Sequence, residues 1–511
     1  MITRDFLSPH TSFRPISEKD LKQYRHLDNI IGLTEAREVV SKIEAGKRHQ
    51  YLPLLRYKVK WRRPPRKIRV FDKKKKKVSL ETEIREPKSR PISYASHKDA
   101  VAYKYIREGI SPLFEQSLEQ DGLSNNILAY RRIPKNKGTG NKSNIDFAAE
   151  AFEAIRNLNH CCVVAVDIKD YFGSIDHKLL EQRLLKLLNT HQLPRDLARA
   201  FRNVTQYRYV DLEMAYQALG FSELKNGQLR FKLKKSKIPR KLCSSADFRE
   251  KIVKAGLVKD NPYAHGIPQG TPVSDILANL FLRDVDLILK KYSENKGGYF
   301  FRYSDDILLI LPGDGRTANK AEQFVSKCLK RHSPLLKLGA DKTEISIFKN
   351  GISAYNLHPV RCSKRKAKSY SNLGISYLGF RFDGHRTFLR NSTIANLRRK
   401  IVKRCHVIGT KHVQRYRGKS KTWLLKNAPV HKTKELYLQM RMDNINQTRS
   451  ANGTKDAPEG SSDPYEDKNF YSYLKTAEKR FKNMNPKFRG QLKEIPHLIE
   501  NTIITAIKSK F

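Results

Sequence analysis

Acidic residues are scarce in this 511-residue chain: Asp and Glu number 51 against 101 Lys and Arg, a formal net charge of +50. An excess spread over many segments points to a polyanionic partner, nucleic acid first. A basic membrane-surface protein is the competing class, but no long amphipathic anchor stands out. No apolar run approaches the roughly 20 residues that a spanning helix needs, so no membrane partner is expected. Met1 to His10 lacks a signal-peptide pattern. Cysteine is sparse as well. The six, at positions 161, 162, 243, 328, 362 and 405, show no paired zinc-type spacing. They read as reduced core or surface thiols of a cytoplasmic protein. No internal repeat is visible.

What the chain does have is an unusual stretch at 299–311, Tyr-Phe-Phe-Arg-Tyr-Ser-Asp-Asp-Ile-Leu-Leu-Ile-Leu. Two short apolar, aromatic and branched runs read as buried strands of a hairpin. Between them lie Asp305 and Asp306. Adjacent carboxylates repel, so both stay ionised near neutral pH only if a cation neutralises them. Oxygen ligands favour Mg²⁺ or Mn²⁺, and paired carboxylates suit two-metal phosphoryl chemistry. A solvated turn, where Asp is common, is the plainer alternative.

The surrounding segments add candidates. Cys161 to Ile168 reads as a buried strand ending at Asp167, an acid costly to bury unless a metal or solvent meets it. Asp176 reads as the N-cap of a helix from His177 to Leu188 rather than as a ligand, and Asp170 as structural. Gly266-Ile-Pro-Gln-Gly270 is a loop, with Thr271 as N-cap and Pro272 at the first position of the next helix. Such a junction offers backbone N–H groups to an anion or base pair, or is simply a junction. Residues 195–262 carry a basic mixture with a helix and a hairpin around Gln228 to Ile238, and their role is not readable. The stretch 56–77 holds thirteen Lys/Arg with Tyr57, Trp61 and Phe71 interleaved, which suits single-stranded nucleic acid. From Asn391 a helix places Ile394, Leu397, Ile401 and Cys405 inward; residues 443–468 read as a polar linker and the last forty or so as two basic helices.

In order, these features resemble the reverse transcriptase family. Val166-Asp-Ile-Lys-Asp-Tyr-Phe-Gly-Ser-Ile-Asp-His177 resembles its first palm motif, and Gly266-Ile-Pro-Gln-Gly-Thr-Pro-Val-Ser274 its template-and-nucleotide loop. Tyr303-Ser-Asp-Asp306 resembles the Tyr-x-Asp-Asp signature, Lys342-Thr343 the following lysine motif, and Tyr377-Leu-Gly-Phe380 the primer grip. The phrasing is similar to bacterial enzymes related to retron and group II intron types. The basic C-terminal region is similar to the defence-associated "unknown group", whose members act in antiphage immunity, commonly with a noncoding RNA. Ser304 departs from the Ala of many retron enzymes. No ribonuclease H carboxylate set, zinc-type endonuclease or maturase-type domain is evident.

The resemblance implies an α+β right-hand polymerase: fingers, a palm of antiparallel sheet plus helices, and a helical thumb. The expected boundaries are 1–87 for an N-terminal basic extension and the start of the fingers, 88–160 for the fingers, and 161–382 for the palm with its insertion at about 195–262. The thumb is expected at 383–442, and a linker and helical C-terminal extension at 443–511. It implies two Mg²⁺ ions, Mn²⁺ being an alternative, held by Asp167, Asp305, Asp306 and the Ile168 carbonyl. Lys342 would assist the leaving pyrophosphate. Phe172 would exclude a ribose 2′-OH, with Arg90, Arg131 and Gln269 holding the nucleotide and Leu378-Gly379 forming the primer grip. Arg90 and Arg131 read equally well as solvated or backbone-contacting bases, and Arg132 and Lys88 are substitutes for them. Residues 361–426 hold nineteen Lys/Arg and one acid, and Arg398, Arg399 and Lys403 on the outer face of the thumb helix would contact nucleic acid. A solvated charged face is the alternative.

The implied partners are an RNA template, taken as a structured noncoding RNA, a DNA product and deoxynucleoside triphosphates; homo-oligomerisation stays open. Two further functions remain: a template-independent or protein-primed DNA polymerase of abortive-infection type, and a non-catalytic RNA-binding scaffold.

Overall fold

Runs of β-branched and aromatic residues alternate with helical periodicity along the chain, and the computed structural model accordingly mixes helices and sheets. It describes residues 15–61, 66–72, 77–83, 87–135, 140–226, 228–339, 343–357, 374–431, 433 and 470–511. The strands, in chain order, begin with β1 (Leu54–Trp61), β2 (Arg66–Asp72), β3 (Lys77–Glu83), β4 (Lys88–Tyr94) and β5 (Cys161–Asp167). They continue with β6 (Arg208–Asp211), β7 (Ser222–Lys225), β8 (Gln228–Phe231), β9 (Lys259–Asp260), β10 (Tyr299–Tyr303) and β11 (Asp306–Pro312). The last are β12 (Glu344–Lys349), β13 (Ile352–Leu357), β14 (Ile375–Tyr377), β15 (Phe380–Phe382) and β16 (Thr387–Leu389).

The chain divides into two units that it crosses repeatedly. The first comprises Met1–Ser124, Lys169–Leu287 and Leu329–Lys337; the second comprises Asn125–Ile168, Ile288–Cys328 and Leu338–Phe511. In the first unit a sheet of order β4-β1-β6-β9 contributes Leu55 and Val210 to a core shared with Ile238, Leu242 and Ile252. The helix His97–Gln120 starts on Ser96, whose hydroxyl accepts from the Asp99 N–H, an N-cap that satisfies one of the orphan donors. The hairpin of the 195–262 segment is β7–β8, a few residues earlier than Gln228 to Ile238; Lys235–Lys237 is a 3₁₀ turn instead.

In the second unit β10-β11-β5-β12-β13 form a wholly antiparallel sheet. The buried run Cys161 to Val164 and the run Ile307 to Leu311 explain why β5 and β11 are interior strands: both faces are covered. The helix Asn144–Leu158 lays Ala148, Phe152 and Ile155 on that sheet. The β14-β15-β16 sheet joins the same core through Phe380 and Phe382, the latter stacked on Phe152 at 4.9 Å.

The C-terminal segment differs from the two basic helices expected. Helix Phe470–Arg480 delivers Phe481, and Phe488 follows, into the core around Phe380. Helix Ile495–Lys508 buries Ile495, Ile499, Ile503 and Ile507 against helix Asn391–Arg415, at the i, i+4 spacing of one face. Gly409 permits this approach, since a Cβ there would come within 2.9 Å of the Ile503 carbonyl oxygen. Phe481 is fully buried, so Phe481→Ala is expected to cost about 3–5 kcal/mol, read as a drop in urea stability of the full chain. A change below about 1 kcal/mol would mean the segment is not part of that core.

Candidate metal centre

Three carboxylates meet at one end of the second unit's sheet. In the β5–β11 ladder Asp306 stands directly opposite Asp167. Asp305 precedes Asp306 in the turn from β10. One oxygen from each of Asp167, Asp305 and Asp306 lies within 4.8 Å of the others. Asp167 is buried, Asp305 half-buried and Asp306 exposed, so the group opens outward. Backbone bonds fix the spacing: the Ile168 N–H donates to the Asp305 carbonyl at 3.2 Å, and the Gly339 N–H to the Asp167 carbonyl at 2.7 Å. An all-oxygen donor set of three carboxylates fits a hard divalent cation.

The turn itself is heavily tied down. Ser304 has φ +60° and is buried. The Arg302 guanidinium, fully buried, donates to the Ser304 carbonyl at 2.9 Å. Residues 126–130 run beside β10 as a strap: the Arg302 N–H donates to the Asn126 carbonyl (2.7 Å) and the Leu128 N–H to the Arg302 carbonyl (2.9 Å). The Asn126 side-chain amide donates to the Phe300 carbonyl at 2.7 Å. Tyr130 ends the strap at φ +65°, its hydroxyl 3.1 Å from the Ser304 hydroxyl. Burial and the neighbouring Asp306 charge raise the Tyr303 phenol above its ordinary pKa, and the same causes with Tyr303 added raise Tyr377. The buried Tyr377 hydroxyl has no hydrogen-bond partner among the described residues.

Of the other candidates in this unit, Leu378 (φ +46°) and Gly379 (φ +96°) form the turn between β14 and β15. That turn is anchored at both carbonyls: the Asn144 amide donates to Leu378 at 3.1 Å and the Arg390 N–H to Gly379 at 2.9 Å. The Arg131 guanidinium folds back on the Ile127 carbonyl of its own strap. Arg398 donates to Glu494 at 3.0 Å, so one of the three thumb-helix bases is spoken for by the C-terminal segment. Arg399 and Lys403 are exposed. Lys342 lies outside the described residues.

The first unit collects the remaining candidates by themselves. Phe172, half-buried, lies on the 3₁₀ turn Phe172–Ser174, its ring against Tyr171, and its carbonyl accepts from the Ile267 N–H at 2.9 Å. The Gln269 carbonyl accepts from Ser93 in β4, the strand that also carries Arg90. A Cβ on Gly270 would lie 2.5 Å from the Ser93 carbonyl oxygen, so glycine is required there. Phe172, Gln269 and Arg90 thus belong to one backbone-linked group. Asp176 caps its helix as expected, accepting from the Leu179 N–H at 2.8 Å. The loop-to-helix junction differs: the helix is Ser274–Phe281, not one capped by Thr271 and starting at Pro272, and the Thr271 and Ser274 hydroxyls pair at 2.5 Å across an intervening turn.

Tyr130, Ser304 and Arg302 join the site only through the structure. Arg302 carried a signal, a lone charge inside the apolar run 299–303. The Tyr130–Ser304 pairing spans 174 positions and leaves no local trace.

Residues 189–382 match the family model described as "Reverse transcriptase (RNA-dependent DNA polymerase)". That stretch contains Asp305 and Asp306, and Asp167 lies ahead of it. No curated protein matches the chain. Among solved structures it is similar to an apo telomerase from Candida tropicalis, at 12% identity and a TM-score of 0.31, covering 58% of this chain and 45% of that one. It is also similar to a telomerase from Candida albicans in complex with the TWJ fragment of telomeric RNA, at 11% identity and a TM-score of 0.33, covering 82% and 57%. The chain thus spans about half the length of the solved structures it matches. Among the described residues no helix is long and apolar enough to cross a membrane.

Proposed function

We propose that this chain is a reverse transcriptase that adds deoxynucleotides to a primer on an RNA template. The observation that carries the reading is the Asp167–Asp305–Asp306 group, three carboxylate oxygens within 4.8 Å at the ends of adjacent strands, in a chain whose residues 189–382 match the family. Asp167, Asp305, Asp306 and the Ile168 carbonyl would hold two Mg²⁺ ions, or Mn²⁺. When bound, such a pair supplies activation of a primer 3′-hydroxyl and charge neutralisation at the leaving pyrophosphate. The protein's part is to keep three like charges converged before substrate arrives, a preorganisation that the strap and the buried Arg302 enforce. Phe172 would occlude a 2′-OH, and Gln269, Arg90 and Arg131 would orient the triphosphate. Lys342 would donate a proton to the pyrophosphate, and the Leu378-Gly379 turn would hold the primer end.

On this reading residues 88–160 act as fingers, 161–382 as palm and 383–442 as thumb. The template is a structured noncoding RNA and the setting bacterial antiphage defence in the cytoplasm. The support for that setting is the phrasing of the first palm motif, the basic C-terminal region and the scarcity of paired cysteines. Sequencing the nucleic acids that copurify with the chain tests it. RNA joined to complementary DNA is expected; DNA without a template, or RNA alone, would replace this reading with one of the two alternatives.

The thumb-helix surface adds a salt-dependence prediction. Neutralising Arg398, Arg399 and Lys403 together is expected to weaken RNA binding and flatten its salt dependence. Each lost phosphate contact removes about 0.7–0.9 from the slope of log affinity against log salt. Because Arg398 already pairs with Glu494, most of the change should come from Arg399 and Lys403. An unchanged slope across a salt series removes this surface from the binding model.

A further inference from the structure

Tyr130 is an expensive residue for its place. A bulky side chain at φ +65° sits in the left-handed region that glycine or asparagine occupies at far lower cost. Such a conformation persists only where surrounding contacts over-determine it. Here they do: the strap is fastened to β10 at Asn126 and Leu128, and at its end the Tyr130 hydroxyl meets the Ser304 hydroxyl at 3.1 Å. Ser304 is itself at φ +60° and immediately precedes the two turn carboxylates. Its carbonyl is held from the other side by Arg302. Two strained residues are therefore joined by their side chains, at the point where the direction of Asp305 and Asp306 is set.

We propose that Tyr130 is a positioning residue of the metal centre: through its hydrogen bond to Ser304 it fixes the turn that aims Asp305 and Asp306 at Asp167. This rests on the metal-centre reading above and adds to it why the second position of Tyr-x-Asp-Asp is a serine here. A side chain without a hydroxyl at 304 would leave Tyr130 without this anchor. The ring of Tyr130 is 42% exposed, so the residue is not held in place by burial. The hydroxyl contact is what distinguishes its role from packing. An unanchored turn samples orientations in which the three carboxylates no longer converge, and divalent-cation affinity falls with the converged fraction.

The test uses the full chain and two conservative substitutions, Tyr130→Phe and Ser304→Ala, singly and combined. Mn²⁺ binding is measured by calorimetry without nucleotide, and kcat and KM for a deoxynucleoside triphosphate are measured separately. Each single change is expected to weaken Mn²⁺ binding and lower kcat by about five- to tenfold, the worth of one hydrogen bond. KM is expected to stay within about twofold, since a positioning group acts through the metal ligands and not on the nucleotide. The combined variant is expected to match either single one, because both remove the same bond. Effects that multiply, or unchanged Mn²⁺ affinity and kcat in both single variants, overturn the proposal. A loss confined to melting temperature does so as well. The Asp305→Ala/Asp306→Ala chain separates this from failure of the underlying reading. If the unsubstituted chain binds Mn²⁺ no better than that one, the metal centre itself is wrong; if it binds better and Tyr130→Phe binds equally well, only the positioning role is.

Discussion

Replacing Asp305 and Asp306 together with alanine is expected to abolish nucleotide addition while leaving the chain folded. The expected loss exceeds about 10³-fold, since removing even one electrostatic donor at a reacting centre costs about 10²–10³-fold. Both carboxylates crowd Asp167 within 4.8 Å, and Asp306 is exposed, so their removal relieves repulsion without opening a cavity. The Arg302 bond to the Ser304 carbonyl, the Tyr130–Ser304 hydroxyl pair and the Ile168 N–H bond to the Asp305 carbonyl use no Asp305 or Asp306 side-chain atom, so alanine retains them. Incorporation of labelled deoxynucleotide and thermal melting, measured on the same preparation, check both halves. Appreciable activity in a folded double variant would remove these residues from the metal site.

The second large effect concerns sugar selectivity. Phe172→Ala is expected to admit ribonucleotides, lowering the preference for deoxynucleotides on the order of 100-fold as judged by the ratio of kcat/KM values. Phe172 is half-buried on a short 3₁₀ turn, and its carbonyl is tied to Ile267 in the loop that carries Gln269. Within the turn the Ser174 N–H donates to the Tyr171 carbonyl at 3.0 Å. The turn is thus held by its backbone, and truncating the ring leaves its path intact. Were Phe172 only a core residue, truncation would instead cost about 3–5 kcal/mol of stability with no change in selectivity. Kinetics with matched ribo- and deoxyribonucleotides, alongside a denaturation curve, distinguish the two results.

What could be read from residues alone was what local chemistry determines. β5 and β11 were legible because short branched and apolar runs buried on both faces have few other solutions. The Asp176 cap was legible because a short acceptor before an amphipathic run serves the orphan N–H groups of a helix. Acids at strand ends left metal and solvent both open, and the grouping of Asp167 with Asp305 and Asp306 came only from the family resemblance. The register that sets Asp306 opposite Asp167 needed the structure. Helix Ser274–Phe281 starts two residues beyond the expected Pro272, where the Thr271 and Ser274 hydroxyls pair with each other instead of capping. The charge of the last forty or so residues masks the isoleucine face of helix Ile495–Lys508. The strap at 126–130 was invisible, since most of its anchors are backbone groups and its partners lie more than 170 positions away. Backbone hydrogen bonds carry no residue signature, and much of the strap's attachment is made of them.

The measurement closest to the central claim is primer extension on an RNA template with divalent cation present, repeated with the cation chelated and again with the RNA omitted. DNA complementary to the RNA is expected in the first reaction and none in the other two. Equal synthesis without RNA, or no synthesis by a folded chain when all components are present, would contradict it.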